Sequence, residues 1–380
     1  MLELIGSKQT IFLVLTNIIM LLVMRQMMKP AFKPPYVVSN NARRTTLVIC
    51  FVFCLFSFWG ADWFNYIQEY KSVKMYGDLH TNLEPFYVWL IQTLPDGYLF
   101  FRIAVWGSTL FILYRTIRLL PISFDLALLI FCSSWITLIS YARASLSMAI
   151  MFYGIAWYYS KGGFKGIWTK AIGVTLVLSA IYFHKSAAFG VVALLMAIFS
   201  KNIGRRMMVA YIFMFPLLVY AAHVYMGDFM SADMDLSAEG MESFAAVGQN
   251  YLSAESKPHG IGTNIQLLLE YIPFYCLAYL CYSIMQKPIY KEIPDNIKIF
   301  MKSLFFIILM SSVFIFNIGV NTDVVFGRFL RFSVIPSIVV LTYFYQNNMF
   351  PKWPHRVAQL AFAGTLYSLI YVTYTVYVKS

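Results

Sequence analysis

Charge is scarce in this chain, and acid is scarcer than base. Only 12% of the 380 residues are charged, with 17 Asp and Glu against 29 Lys and Arg. A soluble domain carries about a quarter charged residues, so a water-soluble globule with a large core is excluded. The five cysteines (Cys50, Cys54, Cys132, Cys276 and Cys281) all lie in apolar runs, without the spacing of a disulfide framework or a metal site, and are expected to pack as small apolar residues. Gly162-Gly163-Phe164-Lys165-Gly166 lacks the Gly-Lys-Ser/Thr ending and the preceding strand of a phosphate loop, and reads as a turn. No stretch is long and polar enough for a soluble nucleotide or nucleic-acid domain, and no cofactor is expected. A removable leader is not expected either, because Glu3 precedes the first apolar run and Arg25 and Lys29 follow it.

Apolar residues fill the space that charge leaves. They make up 60% of the chain, and mean hydropathy is +0.68. The expected fold is all-α, a single polytopic membrane helix bundle over residues 1–380. Hydropathy divides it into twelve spans: Ser7–Met24, Thr45–Gly60, Gly97–Tyr114, Pro121–Ser140, Ala144–Ser160, Ile167–Phe183, Ser186–Ser200, Met207–Met226, Thr263–Met285, Ile299–Ile318, Val324–Tyr345 and Val357–Val378. Several are shorter than the ~20 residues that an upright helix needs to span a bilayer. Nineteen of the 29 basic residues fall in alternate loops: Arg25–Arg44, Arg115–Arg118, Lys161–Lys170, Lys201–Arg206, Lys287–Lys302 and Lys352–Arg356. By the positive-inside rule these loops face the cytoplasm, and both termini lie outside. Two outer segments are long. Residues 61–96 are aromatic and acidic. Residues 227–262 are polar, with six acids against Lys257 alone.

Against that alternation, Arg102, Arg143, Lys185, Arg328 and Arg331 stand at the outer ends of spans. A cation near the bilayer core costs about 2.5–3.5 kcal/mol on insertion scales, so it needs a partner. The spans offer few acids, which leaves a bound anion as the expected counter-charge. Around these cations lie four more motifs. Asp62, Tyr66, Glu69 and Tyr70 share one helical face just outside the bilayer, suited to stacking and hydrogen-bonding sugar, or to an interfacial aromatic belt. Glu84 precedes Pro85 and reads either as a helix cap or as a general base. His184, in the tight turn Phe183-His184-Lys185-Ser186, reads as a proton carrier or as a structural residue, with Lys185 beside it as a point charge for phosphate. Arg328 and Arg331 are three apart and read as a diphosphate clamp, or as partners of Asp323 and of lipid headgroups.

The order Asp62-x-x-x-Tyr66, Glu84-Pro85, Tyr141-Ala142-Arg143, Phe183-His184-x-Ser186-Ala187 and then Arg328 and Arg331 resembles the EpsG-like branch of the Wzy polysaccharide polymerases, with Ala144 where that family often has glutamine. The resemblance covers about Asp62 to Phe332. It implies a multi-pass enzyme of the bacterial cytoplasmic (inner) membrane that joins undecaprenyl-diphosphate-linked oligosaccharide repeats on the outer face, in capsule, exopolysaccharide or O-antigen synthesis. It also implies independence of metal and of nucleotide. Membrane lipid, a flippase and a chain-length regulator are the expected partners, and nucleic acid is not. On this reading His184, Glu84 and Arg143 are catalytic. Arg143, Lys185, Arg328, Arg331 and Arg102 bind diphosphate, while Asp62, Tyr66 and Tyr70 hold sugar. The base is His184 or Glu84. Two rivals remain: a glycosyltransferase using a polyprenyl-phosphate sugar and an acid of the first outer loop, and a lipid-oligosaccharide flippase. For a flippase the interior acids are Asp125 and Glu270 alone.

Overall fold

The computed structural model describes residues 7–56, 62–77, 83–139, 142–160, 166–200, 261–316 and 329–377. These are almost wholly helical, and among them there is no strand. The helices are α1 (Ser7–Met28), α2 (Asn40–Leu55), α3 (Asp62–Tyr76), α4 (Pro85–Thr93), α5 (Tyr98–Arg118), α6 (Phe124–Ile130), α7 (Ala142–Tyr158), α8 (Gly166–Phe183), α9 (Ala187–Phe199), α10 (Ile261–Met285), α11 (Asp295–Phe316), α12 (Val334–Gln346) and α13 (Trp353–Tyr377). Eleven of the twelve expected spans overlap one of these helices. The eighth, Met207–Met226, lies outside the described residues, as does nearly all of the second long outer segment. Among the described residues, three helices are long and apolar enough to cross a bilayer by length and composition: Tyr98–Arg118, Gly166–Phe183 and Leu268–Met285.

Three expectations change in detail. The first long outer segment is largely helical, since α3 and α4 occupy most of it. The fourth span is not one regular helix: after α6 the chain passes through a π turn at Phe131–Trp135 and a 3-10 turn at Ile136–Ile139. Lys298 and Lys302, read as loop residues, fall in the opening turns of α11, and the Lys302 ammonium donates to the Ser200 carbonyl.

Two close crossings organise the bundle. A Cβ built on Gly154 of α7 would stand 2.6 Å from the Gly173 carbonyl of α8, and one built on Gly173 would stand 2.7 Å from the Gly154 carbonyl. Only hydrogen fits at both positions, so the two backbones touch, the device that membrane helices use when hydrophobicity cannot drive their association. Ser147 Oγ donates to the Ala180 carbonyl at 2.9 Å further along the same pair. The helices α7 and α8 are therefore antiparallel, and Arg143 at the start of one lies beside His184 at the end of the other. Gly364 of α13 makes the second crossing, where an added Cβ would stand 2.7 Å from the Leu269 carbonyl of α10.

The opposite end is locked differently. Ser39 caps α2, accepting from Ala42 N–H at 3.2 Å. Arg43, in the first turn, grips Asp125 of α6 with Nε and with Nη2 (2.7 Å to Oδ2), and Oδ2 also accepts from Val38 N–H at 2.9 Å. Asp125 is buried, and these three donors answer its charge.

Candidate functional site

Glu84 is where the site begins. The following proline confines it to extended backbone (φ −64°, ψ 147°) and opens α4, with the ring at the first helical position where a missing N–H costs nothing. A residue in this place normally turns its side chain onto the free N–H groups of the first turn. Glu84 makes no such bond. Its carboxylate spans two neighbours instead. Oε2 accepts from Arg143 Nη1 at 2.9 Å, and Oε1 lies 2.8 Å from His184 Nδ1. The Lys185 backbone N–H approaches the same Oε1 at 3.4 Å.

Packing delivers α4 to this spot. The Phe86 ring lies 4.3 Å from that of Phe183, the last residue of α8, and the Tyr87 hydroxyl donates to the Arg143 carbonyl at 3.1 Å. The Arg143 guanidinium stands 4.8 Å over the Tyr66 ring of α3, within cation–π range. Its Nε is buried without a hydrogen-bond partner among the described residues. Three separate stretches of chain thus converge on one carboxylate.

Burial alone would raise the Glu84 pKa. The His184 hydrogen bond and the Arg143 charge outweigh it and hold the group at about 2. The carboxylate is therefore ionised and can only accept. It follows that His184 Nδ1 carries hydrogen, and that in the neutral ring the lone pair belongs to Nε2. Exposure divides the roles further: the Glu84 side chain is 5% exposed and that of His184 20%. The carboxylate is covered while the imidazole reaches the surface. A shielded acid that orients a partly open imidazole is the arrangement of a general base.

The other expected site residues are distributed as follows. Tyr66 joins the group through Arg143. Tyr70 is buried; its hydroxyl accepts from Gly97 N–H at 2.9 Å, and its ring packs edge-on to Tyr98. It fixes the start of α5, where Gly97 has φ +135°, a conformation open to glycine. Arg102 is buried in α5 and donates from Nη2 to the Cys54 carbonyl at 2.7 Å, closing the end of α2. Arg331 lies in a 3-10 turn at Arg331–Ser333, and its charge acts on Glu270 of α10. Glu270 also accepts from Gln266 Nε2 at 3.0 Å and Ser368 Oγ at 2.5 Å. The side chain of Asp62 and all of Arg328 lie outside the described residues. The shortage of acids that pointed to a bound anion is corrected at one of these cations: Glu84 pairs with Arg143. Glu84 was not matched to Arg143 from sequence, because 59 residues separate the partners. Tyr87 was missed altogether. Its place three residues after Glu84, in the first turn of α4, was the available signal.

None of the curated proteins and none of the solved structures matched this sequence. The model of the EpsG family, by contrast, matches residues 43–380, nearly nine-tenths of the chain and every residue of the site, and the protein belongs to that family of polysaccharide-polymerase-like membrane proteins.

Proposed function

We propose that this protein is a metal-independent membrane glycosyltransferase that joins lipid-linked oligosaccharide repeats on the outer face of the bacterial cytoplasmic membrane. The reading adopts the twelve-span topology with both termini outside, and it carries the implied undecaprenyl diphosphate substrate. The observation that carries it is the Glu84 carboxylate shared between Arg143 and His184.

His184 Nε2 takes the proton from an acceptor sugar hydroxyl. The oxygen so freed attacks the anomeric carbon of the donor glycan, and the bond from that carbon to the carrier diphosphate breaks. The diphosphate leaves with the electron pair, and its growing negative charge meets Arg143, whose remaining guanidinium donors are not spent on Glu84. Glu84 acts through its neighbours: it fixes the imidazole tautomer and holds the guanidinium in place. Lys185, in the same turn, supplies a second positive charge. Tyr66, beneath the guanidinium, and Asp62, on the same helix, position sugar. Tyr70 and Arg102 are left out of the assignment, since each is committed to a different contact; Arg331, in the turn before α12, is left out as well.

The test is a strain whose chromosomal copy carries His184→Ala. Its surface glycan ladder collapses to single repeats while membrane-inserted protein stays at its normal level. A ladder of normal length from that strain removes His184 from the reaction.

A further inference from the structure

At the far end of α5 from this site lies a cavity of about 570 Å³. The helix has 21 residues, so a rise of ~1.5 Å per residue puts roughly 30 Å between the two. From its lining we infer that the cavity binds an anionic phospholipid of the surrounding leaflet by its phosphate.

Two arginines enter the cavity wall, and they differ in what they have left to give. Arg43 is committed, because Asp125 holds Nε and Nη2 and Asn40 accepts from Nη1 at 3.0 Å. This pair is close to neutral and forms a rigid floor. Arg118, in the last turn of α5, is exposed and makes no ion pair or hydrogen bond among the described residues. The cavity therefore carries one uncompensated positive charge. Gln346, at the end of α12, adds donors: its Oε1 accepts from Ser123 N–H at 2.8 Å, which leaves Nε2 available. A guanidinium and an amide N–H₂ on one wall suit a phosphate.

Apart from Ser123 and the Tyr114 hydroxyl, the rest of the lining is apolar. The Tyr114 ring meets Phe124 edge-on at 5.0 Å, and Val37 and Ile122 complete that side. A soluble phosphate gains nothing from such a wall, whereas the glycerol backbone and first methylenes of a phospholipid do. The surroundings fit as well, since on the twelve-span topology this is the end of the bundle where the basic loops gather and where a leaflet's headgroups would lie. The inference stands apart from the polymerase reading, because it concerns binding at the opposite end and asks nothing of the reaction.

Native mass spectrometry of the full chain, released from neutral detergent, tests it with phosphatidylglycerol, phosphatidylcholine and glycerol phosphate as probes. Phosphatidylglycerol adducts are expected to exceed phosphatidylcholine adducts. Arg118→Gln is expected to weaken the phosphatidylglycerol adduct by about tenfold or more, the worth of one charge-assisted contact. Arg44→Gln, at an exposed cation of the same end of the bundle that does not line the cavity, leaves it unchanged. Arg118 is exposed, so its substitution does not endanger folding; Arg43 is avoided because its loss strands Asp125. Equal weakening by Arg44→Gln shows diffuse attraction and overturns the site. Glycerol phosphate binding with the same dependence on Arg118 overturns the lipid, and absence of any preferred adduct overturns the cavity as a binding site.

Discussion

Glu84→Gln separates a positioning carboxylate from a catalytic one. The substitution preserves shape and keeps an acceptor oxygen for Arg143 Nη1, now 2.9 Å from Oε2. It changes what faces His184 Nδ1. If the amide nitrogen occupies the Oε1 position, it donates to Nδ1, and the ring proton moves to Nε2. The imidazole then has no lone pair to offer the acceptor hydroxyl. General-base catalysis is worth about 10²–10⁴ in rate, or roughly 3–5 kcal/mol of barrier, and that is the expected loss. The folding cost is smaller. Removing a partner of a buried ion pair outright costs about 3–5 kcal/mol, but glutamine retains a hydrogen bond to Arg143, so about 1–3 kcal/mol is expected. The assay is polymerisation of a lipid-linked repeat by purified protein in proteoliposomes, read as a glycan ladder. Size-exclusion chromatography alongside confirms that the variant is monodisperse. Monodisperse Glu84→Gln protein that polymerises within about threefold of wild type refutes the tautomer argument, because the base would then be working without its orienting acid.

Acid stability follows from the same carboxylate. Its pKa is about 2 in the folded protein against an ordinary 4.5, so the stabilisation is complete above pH 4.5 and is lost as pH falls from there towards 2. The difference is worth about 3 kcal/mol, so thermal unfolding of wild type in detergent is expected to drop across that window and that of Glu84→Gln to change less. Arg143→Lys keeps a charge but not the fork that spans Glu84 and a leaving group, and is expected to cost about tenfold or more in polymerisation; wild-type activity would show that a point charge suffices. Gly154→Val sets a side chain against the Gly173 carbonyl, and overpacking of this kind costs about 1–3 kcal/mol, to be read as a lower unfolding temperature together with lost activity. Arg102→Leu is expected to lower stability by about 1–3 kcal/mol by orphaning the Cys54 carbonyl, with the reaction rate of the folded fraction unchanged.

Helix positions were legible because long apolar runs dictate them, and the π turn after α6 was not, because its backbone shift leaves no mark on hydropathy. The site divides along another line. Arg143 and His184 were both readable as span-end residues, since tight turns between apolar runs force them to the surface of the bundle. The use of Glu84 was not readable. A residue before proline looks like a cap from sequence, and only the packing of Phe86 on Phe183 shows that its side chain turns away from its own helix. Arg102 and Tyr70 sit at the same apparent depth as the site and have the same chemistry. What separates them is a carbonyl at Cys54 and an N–H at Gly97, contacts set by how helices meet. Glu270 was visible as an interior acid, but the bond it accepts from Ser368 spans 98 positions and awaits the docking of α10 and α13.

Because one carboxylate from a short peripheral helix completes a pair of residues on a separate hairpin, competence is a by-product of final assembly. A nascent chain whose hairpin has inserted, but whose preceding segment has not yet docked, holds an imidazole of unfixed tautomer and a guanidinium with nothing to restrain it. On the proposed mechanism such a chain is inert towards its precursors, so partially built protein does not consume them, and catalytic output reports on completed folding.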